Sequence, residues 1–167
     1  MIQDIISSST IIQDIISSST IIQDIISSST IILYVIPLIL FMNTYNIIHL
    51  IGLVGLIGTV LLSEFIKYNI VGEISPRPYN ATNCNLFCDD GKQGGRPGMP
   101  SSHAAIVGFF GGFYYQQTDN IIIQAIVIGY GILVVVSRYI KQCHSIEQII
   151  IGSLLGIFLS IIVMRLF

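Results

Sequence analysis

Apolar residues run along this chain in long blocks with few or no charges inside them, separated by polar stretches. That pattern predicts helices crossing a membrane rather than the alternating faces of a soluble core. The first block, Ile25 to Met42, has 18 uncharged residues, about the minimum for a spanning helix, and Pro37 marks a kink inside it. After the break Asn43-Thr44-Tyr45-Asn46 a second block runs from Ile47 to Ser63 and ends near Lys67; Gly52, Gly55 and Gly58 recur in it at a spacing that lets helices approach closely. A third runs from Ser101 to about Gln117 with Gly108, Gly111 and Gly112, a fourth from Asn120 to about Ser137, and a fifth from Ile146 to Leu166, where Gly152 and Gly156 form a small-xxx-small face. The expectation is an all-α, multi-pass transmembrane helical bundle of about five spans.

Ahead of the spans, residues 1–30 are three near-identical copies of Ile-Ile-Gln-Asp-Ile-Ile-Ser-Ser-Ser-Thr, with Met1 in place of the first Ile. A ten-residue period turns the apolar arc of each copy by about 80° on a helix, so one straight amphipathic face is excluded. Each junction, such as Thr10-Ile11-Ile12-Gln13, has the form of a capping box and can restart a short helix. The segment reads as an interfacial or loosely ordered appendage, with a β-rich adhesive repeat as the alternative. It has no basic n-region of the kind a signal peptide carries.

Composition agrees with the hydropathy pattern. Of 167 residues 53% are hydrophobic and 10% charged, against roughly 25% charged in an ordinary soluble domain. A mean hydropathy of +0.82 leaves little room for a separate soluble module. Six of the seven basic residues lie between Lys67 and Lys141, at the ends of apolar segments, and no basic stripe with interleaved aromatics suggests a nucleic-acid face. The three cysteines match neither a disulfide framework nor a zinc site. Cys84 and Cys88 share the polar loop 71–99 and would be the pair to join if that loop faces an oxidising compartment, while Cys143 reads as inert packing beside His144.

Chemistry gathers at one end of the spans. Loop 71–99 is long enough to read as functional. Short connections make neighbouring helices antiparallel, so this loop and the turn Arg138 to Ser145 emerge on the same side. There stand Lys67, Arg77, Arg96, Arg138, Lys141, His103 and His144, with Ser101, Ser102, Ser137 and Gln148 nearby. In Met99-Pro100-Ser101-Ser102-His103-Ala104 the proline ends what precedes it and Ser101 is an N-cap, leaving the amides of the first turn free to hold an anion beside His103. Ionisable side chains are expensive at membrane ends unless they are used or snorkel to water. Two histidines and several arginines, with no carboxylate cluster for a metal, suit phosphoryl transfer: one histidine attacks phosphorus and the other protonates the leaving oxygen.

Arg77-Pro78, then Pro100-Ser101-Ser102-His103, then Ser137-Arg138 with His144 and Gln148 behind it, resembles the three-part signature of the type 2 phosphatidic acid phosphatase superfamily over about residues 60–167. The resemblance implies a membrane phosphatase domain over residues 31–167 acting without a metal or cofactor. By that resemblance Lys67, Arg77, Ser101, Ser102 and Arg138 bind phosphate, His103 is the general acid, His144 the nucleophile, and Gln148 stands where an aspartate usually orients it. The family's basic residue falls seven positions before the arginine, which here is Ile70, so Lys67 serves only if the chain bends at Gly72. Ser102 replaces the usual glycine, and Gln148 brings an acceptor oxygen without charge. Together these two look like the dolichyl diphosphatase branch. The resulting expectation is hydrolysis of a polyprenyl diphosphate through a phosphohistidine, in the endoplasmic reticulum or another endomembrane rather than the plasma membrane. The substrate lipid and the surrounding membrane are the expected partners. The alternatives are a phosphatidate or other lipid monophosphate phosphatase, or a weakened lipid-phosphate binding protein.

Overall fold

The computed structural model describes residues 20–167. The repeat junctions at residues 10 and 11 therefore lie outside the described residues. The chain forms α1 (Thr20–Thr44, with a 3-10 turn at Ser29–Ile31), α2 (Ile47–Phe65), α3 (Ser102–Gln116), α4 (Ile121–Ile140) and α5 (Ile146–Leu166). A π turn (Ile66–Val71) and a 3-10 turn (Gly72–Ile74) continue α2. Side-chain caps begin the later helices where the sequence changes from polar to apolar. Asn46 accepts from the Ile48 amide at 3.1 Å and Asn120 from that of Ile122 at 2.9 Å, while Ser145 and Gln148 form a full capping box.

The bundle is all-α among the described residues, but its helices are not equal. Four are long and apolar enough to cross a membrane: Thr20–Thr44, Ile47–Ile74, Ile121–Ile140 and Ile146–Leu166. The third expected span is instead the 15-residue α3, about 22 Å long at 1.5 Å per residue. Its first nine residues are all buried, and it packs against α2, α4 and α5. A helix wrapped by its neighbours turns its apolar residues to the protein core rather than to lipid. Phe109, Phe110, Phe113 and Tyr114 of α3 form the centre of the core with Leu33, Leu56 and Val134, and the rings of Phe110 and Tyr114 lie 4.5 Å apart.

The glycine patterns act at this centre. A Cβ on Gly55 would stand 2.2 Å from the Phe109 ring, and one on Gly52 2.8 Å from that of Phe113, whereas Gly58 faces open space. Gly156 is tighter, because its added Cβ would meet backbone: the Ala105 carbonyl oxygen at 2.0 Å and the Phe109 nitrogen at 2.6 Å. Helix backbone cannot turn aside as a side chain can, so Gly156→Ala pushes α3 and α5 apart at a cost of about 1–3 kcal/mol. Thermal melts in detergent should show a midpoint lowered by several degrees for Gly156→Ala and an unchanged or raised one for Gly58→Ala. Equal midpoints would remove the close α3–α5 contact as a source of stability.

The last repeat copy, residues 21–30, is tied into the bundle through Asp24, Ser27 and Ser29. Asp24 forms an ion pair with Lys141, Ser27 accepts from Arg138 at 2.8 Å, and Ser29 shares a hydrogen bond of 2.8 Å with Tyr130. The boundary drawn at residue 30 thus falls inside α1.

The loop between α2 and α3 folds back on itself as a narrow ladder. Arg77 N–H donates to Arg96 at 2.8 Å, Gln93 N–H to Ala81 at 2.8 Å and Gly98 N–H to Ser75 at 2.9 Å. The expected cysteine pairing is corrected here: Cys84 is bonded to Cys143, and Cys88 is free. The ladder turns Cys84 towards the α4–α5 turn, while Cys88 reaches the other way, its thiol near Ser28. Cys143 is therefore the anchor of the loop rather than inert packing.

Candidate active site

Three pieces of chain meet at the end of the bundle beneath this loop: the end of α2, the start of α3 and the turn 141–145. They line one cavity of about 300 Å³ with Lys67, Arg77, Ser102, His103 and His144. Glu64, Asn85, Asp90 and Gln93 also line it, and Tyr34, Val60, Leu86 and Ile106 supply apolar wall.

Lys67 reaches the cavity despite its displaced position in the sequence. The extra residues between it and Arg77 are taken up by the π turn, closed by the Gly72 N–H donating to Lys67 O, and by the bend at Gly72, whose φ of +53° suits glycine. The Lys67 ammonium is 2% exposed and donates to Ser102 Oγ at 2.7 Å and Glu64 Oε1 at 2.5 Å. Ser102 Oγ in turn donates to the same Glu64 oxygen. Sequence reasoning passed over Glu64, although a carboxylate beside the end of an apolar block is itself a signal, since its desolvation must be offset.

The two serines of Pro100-Ser101-Ser102 divide their work. Ser101 caps α3, accepting from the Ala104 amide, and its own amide donates to Gln148 O at 3.0 Å; it does not line the cavity. Ser102 and His103 occupy the first turn and do line it. His103 is buried, and its Nε2 has no hydrogen-bond partner among the described residues.

His144 is held from both sides. Its Nδ1 lies 3.2 Å from Gln148 Oε1, and its Nε2 lies 3.4 Å from the Arg77 guanidinium in the cavity wall. The orientation of the Gln148 amide follows from its other partners. Its Nε2 donates to Ser75 O at 3.2 Å, Ser75 Oγ at 3.1 Å and Pro76 O at 2.9 Å, while its Oε1 accepts from the Ser145 amide at 3.2 Å. An oxygen facing His144 requires hydrogen on Nδ1, so the lone pair is on Nε2. Burial pushes the His144 pKa well below the usual 6.5, and the neighbouring cations Arg77, Arg138 and Lys67 push it further, which keeps the ring neutral. Burial likewise lowers the Arg77 pKa.

Arg138 is fully buried but is not part of the cavity wall. It donates to Ser27 Oγ at 2.8 Å and to the Cys84 carbonyl, and its Nε has no partner among the described residues. Its visible work is to tie α1 to the disulfide-bonded loop. Gln148 too sits behind the wall, acting on His144 from there.

A neutral imidazole whose Nε2 lone pair faces the Arg77 guanidinium can attack an electrophile whose negative oxygens draw that guanidinium to themselves. Searches of curated proteins and of solved structures gave no match. A family model described as PAP2 superfamily matches residues 48–167, which takes in α2 to α5 and every residue of the cavity wall except Tyr34. With most of the chain matched, and the histidines, the arginine of Arg77-Pro78 and the serine pair drawn together at one end of a membrane bundle, this protein belongs to the PAP2 superfamily, whose members are phosphatases.

Proposed function

We propose that the protein hydrolyses a polyprenyl diphosphate of the dolichyl type, without a metal, through a phosphohistidine on His144. The observation that carries the reading is the His144–Gln148 pair, which leaves the Nε2 lone pair directed to the side of Arg77. In this reading Nε2 attacks the terminal phosphorus and the bond to the bridging oxygen breaks. His103 gives a proton to the departing lipid phosphate. Water then attacks the phosphohistidine and releases inorganic phosphate. Lys67, Arg77 and the α3 amides around Ser102 balance charge on the phosphoryl oxygens. Ser101 contributes through its cap, and Arg138 from behind the wall.

Ser102 and Gln148 support the diphosphate branch because the structure gives each a task its usual counterpart cannot perform. Ser102 has a hydroxyl bonded to Lys67 and Glu64, and Gln148 has an amide that donates to loop carbonyls. The Cys84–Cys143 bond supports a site on an oxidising side of the membrane, as in the endoplasmic reticulum or another endomembrane. Purified protein in detergent and EDTA should hydrolyse dolichyl diphosphate in preference to phosphatidate. A preference for phosphatidate would move the assignment to lipid monophosphates, and bound lipid without turnover would make this a binding protein.

Arg77→Lys is expected to lose at least about tenfold in kcat/KM on the preferred substrate, because lysine replaces a planar fork with a point charge. Near-normal rates would put Arg77 outside contact with phosphate.

A further inference from the structure

Glu64 is a charged cavity residue whose presence opposes phosphate binding and which the reaction above does not use. Asp90, the other carboxylate of the wall, is committed to the loop, accepting from the Cys84 amide at 2.6 Å. Glu64 accepts instead from Lys67, which the proposed reaction assigns to phosphate, and from the Ser102 hydroxyl, which stands in the same turn as the amides assigned to it. Ser102 has a single hydroxyl hydrogen, which cannot serve a carboxylate and a phosphoryl oxygen at once. The two partners of the ion pair also differ in freedom. The Lys67 side chain is 2% exposed and fixed, whereas that of Glu64 is 39% exposed and has room to turn outward.

From this geometry we propose that Glu64 is an exchangeable counterion: it pairs with Lys67 and Ser102, yields them to the phosphate group, and returns as inorganic phosphate leaves. The inference rests on the phosphatase reading of the site. A buried ammonium without a partner is costly, so some anion must face Lys67 at every stage of the cycle. A carboxylate that can return lowers the free energy of the phosphate-free site and so weakens the hold on the product. Glu64 is thus a positioning residue for Lys67 and a determinant of product release. A purely structural Glu64 would behave differently on removal, since loss of its charge would only disorder Lys67 and weaken phosphate binding.

The test compares inhibition by inorganic phosphate in wild type, Glu64→Gln, Lys67→Met and the double variant, with dolichyl diphosphate as substrate. Glu64→Gln keeps the shape and the hydrogen-bonding oxygen but removes the charge, so its inhibition constant should fall by at least about tenfold, the effect of one charge a few ångströms from an anion when water screens most of the repulsion. Lys67→Met should raise the constant, and adding Glu64→Gln to it should lower it again by at least about fivefold. The second comparison decides the matter if Glu64→Gln alone does not fold. An unchanged or raised constant in Glu64→Gln, or no drop between Lys67→Met and the double variant, overturns the proposal. A wild type that hydrolyses no lipid phosphate overturns the functional reading instead. The shift of the thermal midpoint by inorganic phosphate, larger in Glu64→Gln than in wild type, then still decides the role of Glu64.

Discussion

His144→Ala is expected to abolish turnover of lipid diphosphates and monophosphates alike, by on the order of 10⁴-fold or more, as for removal of a nucleophile. The expectation follows from the protonation pattern. Gln148 Oε1 fixes hydrogen on Nδ1, and burial beside Arg77, Arg138 and Lys67 keeps the ring unprotonated. Attack therefore needs no prior loss of a proton in neutral solution. The sign of the pH dependence follows: the pKa is lowered, so neutral His144 persists below 6.5, and the acid limb of kcat/KM that belongs to it lies below that value. His103→Ala should be less uniform. A diphosphate expels a phosphorylated lipid, whose oxygen leaves without much help, whereas a monophosphate expels an alkoxide that needs a proton. Loss of His103 should therefore slow monophosphates more than diphosphates. Quenching in alkaline detergent, where a phosphohistidine survives, with substrate radioactive in its terminal phosphate checks both statements. Label retained on His144→Ala, or equal losses on both substrate classes in His103→Ala, would reverse or remove these roles.

The sequence made the membrane helices and the residues at their ends legible because both leave local marks. Long apolar blocks with few charges mark α1, α2, α4 and α5, and Pro100-Ser101-Ser102-His103 marks a helix start through its own chemistry. Burial of α3 was not legible, since an apolar stretch reads alike whether lipid or protein surrounds it. Neither was the Cys84–Cys143 bond, whose ends have a sequence separation of 59; it depends on a ladder of backbone hydrogen bonds, and main-chain groups are common to all residues. Lys67 shows an intermediate case. Its spacing from Arg77 departs from the family pattern, and only the π turn with Gly72 explains how it still faces the cavity. Arg138 and Ser101 were read as phosphate ligands from a motif that identifies positions. The structure gives the contacts they make, which are to Ser27, Cys84, Ala104 and Gln148.

Gln148→Ala should reduce kcat by about 10- to 100-fold, the range found when a partner that orients a histidine is removed. It should also lower thermal stability, because this side chain does two jobs at once. Its oxygen fixes the His144 tautomer, and its amide nitrogen closes the loop onto α5 by donating to Ser75 and Pro76. Each backbone carbonyl left buried without a donor costs about 1–3 kcal/mol. The packing is close as well, since a Cβ on neighbouring Gly98 would lie 2.6 Å from the Gln148 amide. Gln148→Glu separates the two jobs. The carboxylate still accepts from His144 and adds a charge that favours the imidazolium, so the His144 pKa rises and the acid limb of kcat/KM moves to higher pH. Yet the same carboxylate cannot donate to Ser75 or Pro76, and two acceptors then face a third. Gln148→Glu should thus lose thermal stability as Gln148→Ala does, while only Gln148→Glu moves the pH profile upward. A normal melting midpoint in both variants would show that the loop is held without Gln148, and an unmoved acid limb in Gln148→Glu would show that His144 is not the group that titrates in catalysis.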